Sequence, residues 1–220
     1  MPVSQDTPLP PSAASSASLG DFGLEAIVVG VTAYVFWLWL DDLRHTRAGT
    51  PKPGGFPGAT TCSGLAVWLA VSGALTLLML ETAGEYALGV SQQQKDISAF
   101  YLLAMIAAAF GEELIFRGFL VVTSRGRAGL LLSILGFSAL FALSHEFVWI
   151  WKDGGLIFDF SLKAWWSTAM VFAFSLWMYT SRFLPLNPKR SIIPCIAAHL
   201  VKNLGVFAIK FAQGHVTGWW

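Results

Sequence analysis

Charged residues are scarce in this sequence of 220 residues: only 12% are Asp, Glu, Lys or Arg, whereas 55% are hydrophobic. A soluble domain carries about twice that charged fraction. We therefore expect lipid, rather than water, to surround much of the chain. The formal net charge is only +1, and no basic run is present. For this reason we predict membrane lipid as a partner and no nucleic acid.

Cysteine and basic N-terminal residues are also rare. The two cysteines, Cys62 and Cys195, cannot form a disulfide framework, and we interpret them as free thiols in apolar surroundings. Residues 1–22 are rich in Ser, Ala and Pro, which predicts a disordered N-terminal tail. Because no Lys or Arg precedes the first apolar run, the tail lacks the basic region of a signal peptide. We expect the first hydrophobic segment to remain in the mature protein.

Long apolar runs, in contrast, are abundant. A membrane-spanning helix needs about 20 mainly apolar residues, and the bilayer interior offers no water to an unpaired backbone. The sequence therefore predicts an all-α, polytopic transmembrane bundle of about six spanning helices within residues 23–220, without an internal repeat. The predicted spans are Leu24–Leu40, Cys62–Leu80, Ile97–Val122, Gly129–Trp151, Leu162–Phe183 and Ile192–Phe211.

Basic residues concentrate in alternate connections between these spans, the first, third and fifth, whereas the N-terminal tail and the other connections are acidic or mixed. Since Lys and Arg accumulate on the cytoplasmic side, this alternation predicts an integral, multi-pass protein of the plasma membrane with both termini outside. The basic residues are Arg44, Arg47, Lys52, Arg125, Arg127, Arg182, Lys189 and Arg190.

The third predicted span carries three charges, Glu112, Glu113 and Arg117. Each would cost about 2.5–3.5 kcal/mol at the centre of a lone inserted helix, which indicates a functional role. Glu113 and Arg117 are four residues apart, so they share a helix face and can pair. Glu112 lies about 100° around the helix from Glu113 and is left free for chemistry. An ion pair that only holds helices together is the structural alternative, but it does not require Glu112.

Two histidines fall inside other predicted spans. In the fourth, Phe141 and His145 lie four residues apart, and in the sixth, His199 and Asn203 have the same spacing, which puts each pair on one helix face. A lone membrane histidine can simply hydrogen-bond a backbone carbonyl. Together with Glu112, however, these side chains form a set that predicts a site.

This set suits peptide hydrolysis, which needs a base for water, an acid for the leaving amine and donors for the oxyanion. A glutamate withdrawn from water is a stronger base, and a neighbouring histidine can orient the water. We therefore expect Glu112 and His145 to activate water. A histidine N–H and an asparagine amide can form an oxyanion hole, so we assign His199 and Asn203 to the developing negative charge.

The three segments resemble the CPBP family, also called the Abi or CAAX-protease-and-bacteriocin-processing family, which includes the type II CAAX prenyl endopeptidases. The family pattern is EExxxR, FxxxH and HxxxN or HxxxD, in this order on three membrane helices. The family's proline shortly before the paired glutamates is replaced by Ala109-Phe110-Gly111. The matching residues here are Glu112, Glu113, Arg117, Phe141, His145, His199 and Asn203.

The resemblance implies intramembrane proteolysis of the glutamate type, with no cofactor, in a motif-bearing core of residues 97–211. The family's catalytic glutamate corresponds to Glu112, its catalytic histidine to His145, and its oxyanion pair to His199 and Asn203. Its supporting positions correspond to Glu113, Arg117 and Phe141. The expected substrate is a peptide or protein with a membrane-associated segment, either prenylated at a C-terminal CAAX sequence or anchored near its C-terminus.

Other interpretations remain open. A zinc-dependent intramembrane protease could bind the metal through Glu112, His145 and His199, since carboxylate and imidazole are zinc ligands. The HExxH motif of zinc proteases fails, because Trp149 stands at its second histidine. A serine protease motif is also absent, since Ala70-Val71-Ser72-Gly73 lacks the first glycine. A non-enzymatic bacteriocin-immunity or membrane partner protein is the alternative from a different class.

Overall fold

The computed structural model describes residues 19–152 and 154–219. These residues form six α-helices, and the bundle confirms the predicted all-α fold class. A π-helix, Glu113–Phe119, continues the third helix, and a two-stranded antiparallel hairpin of β1, Trp149–Lys152, and β2, Gly155–Phe158, joins α4 to α5. The helices are α1 Leu19–Arg47, α2 Gly64–Ala87, α3 Tyr101–Glu112, α4 Gly126–Ser144, α5 Leu162–Phe183 and α6 Ile193–Ala212.

Four helices are long and apolar enough to cross a membrane, and these are α1 from Gly23, α2, α4 and α6. Helix α5 has the predicted length, but Ser, Thr and Trp side chains dilute its hydropathy. Many of these polar residues are buried, so α5 is surrounded by protein more than by lipid. Helix α3 has only 12 residues, and it covers most of the third predicted span together with the π-helix.

The predicted fourth span, Gly129–Trp151, is wrong at its C-terminal end. Helix α4 ends at Ser144, and Trp149 begins a β-strand. The aromatic and β-branched residues of this strand favour an extended backbone. Gly154 adopts φ +75° in the turn, a conformation that glycine enters without strain. Hydropathy alone cannot distinguish such a strand from the last turns of a helix.

Helix α1 begins at Leu19, three residues before the predicted end of the N-terminal tail, and residues 1–18 lie outside the described residues. Its C-terminal half packs against α3, where Trp39 and Leu43 form a buried cluster with Phe110 and Leu114. Its N-terminal half is largely exposed, as in Leu24 at 65%. Such a surface suits contact with lipid.

Helices α2 and α5 approach each other closely because α2 presents small residues to tryptophans of α5. A Cβ atom at Gly73 would lie 2.2 Å from the indole of Trp177, and one at Gly84 would lie 2.0 Å from the indole of Trp166. Both indoles donate hydrogen bonds to backbone carbonyls of α2, Trp177 to Ala70 at 2.8 Å. Small residues allow the same close approach in membrane helix pairs generally. The contact fixes α2 beside the helices that carry the predicted site.

The π-helix widens the chain where the charged motif lies. The backbone N–H of Leu120 donates to the carbonyl of Ile115, five residues earlier, at 2.9 Å. The hydroxyl of Tyr179 on α5 donates to the carbonyl oxygen of Phe116 at 2.8 Å and lies 3.1 Å from that of Leu120. These contacts satisfy carbonyls at the end of the π-helix, as a low-dielectric interior requires. Wide turns of this kind are frequent at functional sites.

Candidate active site

A cavity of about 830 Å³ lies inside the bundle, with walls from all six α-helices, the π-helix and β1. Glu112, His145, His199 and Asn203, which come from three separate segments of the chain, all line it. The structure thus brings the four predicted catalytic residues to one enclosed space, as polar groups in a membrane bundle require.

Glu112 is the last residue of α3 and reaches the cavity with a side chain that is 32% exposed. Its Oε2 atom is buried and has no hydrogen-bond donor in the part of the chain that the structure describes. Nε2 of His199 lies 3.9 Å from this oxygen. A buried carboxylate oxygen without a donor is an exception in folded proteins and indicates a role other than structural pairing.

Glu113, in contrast, is fully buried, and one of its two carboxylate oxygens accepts two hydrogen bonds. Its Oε1 accepts a hydrogen bond from Nη1 of Arg117 at 3.1 Å, so the predicted pair is present. The same oxygen accepts a second bond from Nδ1 of His199 at 2.8 Å. The sequence did not predict this second contact, because nothing in the spacing links the third and sixth spans. Glu113 therefore connects the buried arginine to the cavity histidine.

Several neighbouring groups stabilise the positive charge of the Arg117 guanidinium. Its Nη2 donates to the hydroxyl and the carbonyl of Ser175, at 2.7 and 3.2 Å, and the Ser175 hydroxyl bonds to that of Ser138 at 3.0 Å. The ring of Phe141 lies 4.5 Å from the guanidinium carbon. A buried charge is tolerated only with such partners. The two serines were missed, since isolated serines in apolar helices carry no motif.

Contacts with Glu113 fix the imidazole of His199. A carboxylate can only accept, so Nδ1 carries a hydrogen and Nε2 faces Glu112. The ring is held edge-on by Phe174, with ring centroids 5.3 Å apart. A carboxylate that holds a histidine in one orientation serves the same purpose in hydrolytic triads.

The imidazole of His145 is fixed in a similar way, although it lies just after α4 in extended backbone rather than inside a helix. Its Nδ1 donates a hydrogen bond to the carbonyl of Phe141 at 2.8 Å, and Nε2 takes no part in this bond. The ring packs against Phe141 and stacks on Phe147, with centroids 4.8 and 5.9 Å apart. Phe141 therefore contacts His145 as well as Arg117.

Asn203 and its neighbour Lys202 take different roles in the cavity wall. The amide nitrogen of Asn203 donates one hydrogen to the carbonyl of Met105 at 2.9 Å, and its second hydrogen remains. Lys202 is only 8% exposed, and its Nζ lies 3.2 Å from Oε2 of Glu81. Lys202 therefore faces the cavity and not the membrane surface.

A second polar group lies further along the cavity on α2. Glu85 is paired with Lys163 of α5 and accepts a hydrogen bond from the amide of Gln94 at 2.6 Å. Glu81 and Glu85 lie beyond Leu80, the predicted end of the second span. Helix α2 continues to Ala87, so both carboxylates belong to the cavity wall.

The described ranges, 19–152 and 154–219, contain no group of three or more His, Cys, Asp or Glu side chains arranged to hold a metal ion. The zinc set of Glu112, His145 and His199 therefore stays a prediction, and so does hydrolysis without a cofactor.

The cavity lies at one end of the bundle, where α1, α3 and α5 begin and α2, α4 and α6 end. Exposed polar residues at its rim, such as Lys95 and Glu146, mark its mouth. The basic connections of the predicted cytoplasmic side join the opposite ends of these helices. The mouth therefore opens on the side away from the basic connections.

The fold and the cavity define a multi-pass integral membrane protein with a polar, enclosed site. The family model described as type II CAAX prenyl endopeptidase Rce1-like matches residues 94–205, just over half of the chain, so the chain belongs to this family of CAAX-type intramembrane endopeptidases. The matched region includes all seven residues of the three motifs. Neither the comparison with curated proteins nor that with solved structures finds a match.

Proposed function

We propose that this chain hydrolyses a peptide bond of a membrane-associated substrate inside the cavity, with water activated by Glu112. The observation that carries the proposal is the position of the Glu112 carboxylate. Its Oε2 has no donor among the described residues, and it lies 3.9 Å from Nε2 of His199, whose other nitrogen is held by Glu113.

In the first step, Glu112 takes a proton from water while the water oxygen attacks the carbonyl carbon of the scissile bond. The proton then passes from Glu112 to the leaving amine as the C–N bond breaks, so Glu112 serves first as base and then as acid. His145 orients the water through Nε2, since its Nδ1 is bonded to the backbone. The protein groups finish the reaction in their starting protonation states.

The developing oxyanion requires donors that point into the cavity. His199, when protonated on both nitrogens, donates Nδ1–H to Glu113 and offers Nε2–H to the oxyanion. Asn203 offers the second hydrogen of its amide nitrogen, since the first is bonded to Met105. Glu113, Arg117 and the aromatic rings around them position these donors and do not contact the reacting atoms.

The family membership favours a substrate with a CAAX-type C-terminus, in which the cysteine carries a prenyl group. The apolar part of the cavity wall and the surrounding helices support this proposal, because they suit a peptide held beside lipid. A protein anchored near its C-terminus would suit the same features. In either case, we propose that the substrate reaches the site from the plasma membrane.

Cleavage of a farnesylated peptide that ends in a Cys-aliphatic-aliphatic-Met sequence tests this proposal. The full chain is reconstituted in liposomes, and the products are identified by mass spectrometry. We expect His145→Ala and Asn203→Ala each to lower the cleavage rate about 100-fold, because the first loses the group that orients the water and the second loses an oxyanion donor.

The matched control is His45→Ala, which changes a half-buried histidine near the end of α1 whose imidazole hydrogen-bonds to Thr50. This variant should cleave at the wild-type rate. A wild-type rate in either His145→Ala or Asn203→Ala, with the peptide still cut, would contradict the assigned roles. Equal cleavage of the unprenylated peptide would contradict prenyl recognition and favour the anchored substrate.

A further inference from the structure

The hairpin between α4 and α5 has one strand at the cavity and one strand away from it. Glu146 and Phe147, just before β1, line the cavity, as does Ile150 within β1. None of the described residues of β2 does so. Since the sheet has only these two strands among residues 19–152 and 154–219, β1 has an edge without a neighbouring strand there.

The hydrogen-bond pattern of the hairpin identifies which backbone groups point out of that edge. The N–H of Asp159 donates to the carbonyl of Val148 at 2.9 Å, and the register pairs Ile150 with Ile157. Bonded and non-bonded residue pairs alternate along an antiparallel ladder. The N–H and C=O groups of Trp149 and Trp151 therefore point away from β2. On β2, the corresponding outward residues are Leu156 and Phe158.

The apolar side chains around this free edge make it energetically unfavourable to leave its backbone N–H and C=O groups without partners. Both faces of β2 carry exposed apolar side chains, Leu156, Ile157 and Phe158, and Trp151 of β1 is 65% exposed. Isolated two-stranded hairpins are marginally stable in water, and one with such side chains is suited to lipid. In lipid, each unpaired backbone N–H or C=O costs several kcal/mol. An additional strand would satisfy these groups.

We propose that the free edge of β1 binds the peptide substrate as an added, extended strand. This inference rests on the proposed peptidase function and names how that site holds its substrate. His145 lies four residues before β1, in extended backbone with φ −84° and ψ 128°. A peptide paired with β1 would therefore extend toward His145 and the cavity.

Strand addition also suits the chemistry of an endopeptidase. Main-chain hydrogen bonds bind a peptide whatever its side chains are, and they hold it extended, so that the scissile carbonyl is accessible. Substrates with different residues beside the scissile bond would then share one binding mode. Specificity would come from the cavity walls, which Ile150 and Phe147 form next to the edge.

The test measures binding of a fluorescent farnesylated peptide to the full chain in liposomes, with Glu112→Gln as the background that prevents cleavage. Trp151→Pro removes an outward N–H from the free edge of β1 while keeping the bonds between the strands. We expect its Kd to be about tenfold weaker than that of Trp151→Ala, which loses only the indole.

Leu156→Pro and Leu156→Ala are the matched control, because they change an outward N–H on the opposite edge. These two variants should bind the peptide equally. A second measurement needs no change in the hairpin: N-methylation of successive peptide amides should weaken binding at alternate positions, since only every second residue of a paired strand donates to its partner.

Three results would overturn the inference: equal Kd values for Trp151→Pro and Trp151→Ala, no alternation along the N-methylated series, or no binding of the peptide to any variant. Conversion of an oligomer to a monomer by Trp151→Pro would instead assign the edge to a second copy of the chain. Failure of the peptidase proposal is distinguishable, because the wild-type chain would then leave the farnesylated peptide uncut, whatever the Kd values of the hairpin variants.

Discussion

The imidazole of His199 donates its Nδ1 hydrogen to Oε1 of Glu113 across 2.8 Å, at a point where the glutamate side chain is fully buried. The same oxygen accepts a hydrogen bond from Arg117 at 3.1 Å. Glu113 is therefore more than the counter-ion of a buried arginine. It sets the orientation of the histidine that faces Glu112, so it positions the proposed catalytic groups.

Glu113→Gln should affect stability and catalysis together. The change leaves Arg117 without its charged partner in a low-dielectric interior, where such losses cost about 3–5 kcal/mol. It also removes the carboxylate that orients the imidazole of His199. We expect a lower thermal unfolding temperature and a lower kcat for peptide cleavage, measured on the same preparation.

The double variant Glu113→Gln with Arg117→Met separates the two effects. No lone charge remains, so the unfolding temperature should recover in part, whereas kcat should stay low because His199 is still unsupported. Recovery of both the unfolding temperature and kcat would contradict the positioning role of Glu113. Its role would then be only the ion pair with Arg117.

Lys202 and Glu81 form a second ion pair inside the cavity, with Nζ and Oε2 3.2 Å apart. Lys202→Met should lower stability by about 3–5 kcal/mol, because it leaves a carboxylate unpaired in a mostly enclosed site. Adding Glu81→Gln should restore most of the loss, as measured by thermal unfolding in detergent. Lys189→Met, at an exposed lysine bonded to Thr61, is the control and should be neutral. Equal destabilisation by both lysine changes would refute the pairing.

Sequence patterns predicted the parts of the fold that depend on hydropathy and on helical spacing. The fifth span has the observed bounds of α5, and the pair of Glu113 and Arg117 follows from a spacing of four residues. Likewise, the cost of polar side chains in lipid predicted that His145 and His199 would face one interior space, and both line the same cavity.

Contacts between distant segments could not be predicted in this way. The bonds from Arg117 to Ser175 and from His199 to Glu113 join helices whose packing no single-sequence pattern encodes. The sequence patterns did not predict the hairpin, because Trp149-Ile150-Trp151 continues an apolar run. Hydropathy alone does not distinguish a strand from a helix in such a run. Lys202 could only be assigned once the position of Glu81 on the neighbouring helix was known.

The basic connections predict the membrane orientation of the chain. Because Lys and Arg accumulate on the cytoplasmic side, a reporter fused to the C-terminus should lie outside, and one inserted near Lys189 should lie inside. The mouth of the cavity, on the side away from the basic connections, would then open outside. Alkaline phosphatase and fluorescent-protein fusions measure this, and the reverse pattern would place the mouth in the cytoplasm.

Metal independence is the expectation for a site in which Glu112 and His145 activate water. Chelators should leave cleavage of the farnesylated peptide unchanged, and elemental analysis should find less zinc than protein. Stoichiometric zinc, together with loss of activity on its removal and recovery on its return, would instead support a metal held by Glu112, His145 and His199.

The most direct test of the central claim is the cleavage rate of Glu112→Gln, measured beside its unfolding temperature. The amide has nearly the same shape as the carboxylate but cannot take a proton from water. Since Oε2 of Glu112 has no donor within the described residues, the change breaks no hydrogen bond of that atom there. We predict complete loss of peptide cleavage with an unfolding temperature close to that of the wild type. Cleavage at the wild-type rate would contradict the assignment of Glu112 as the catalytic base.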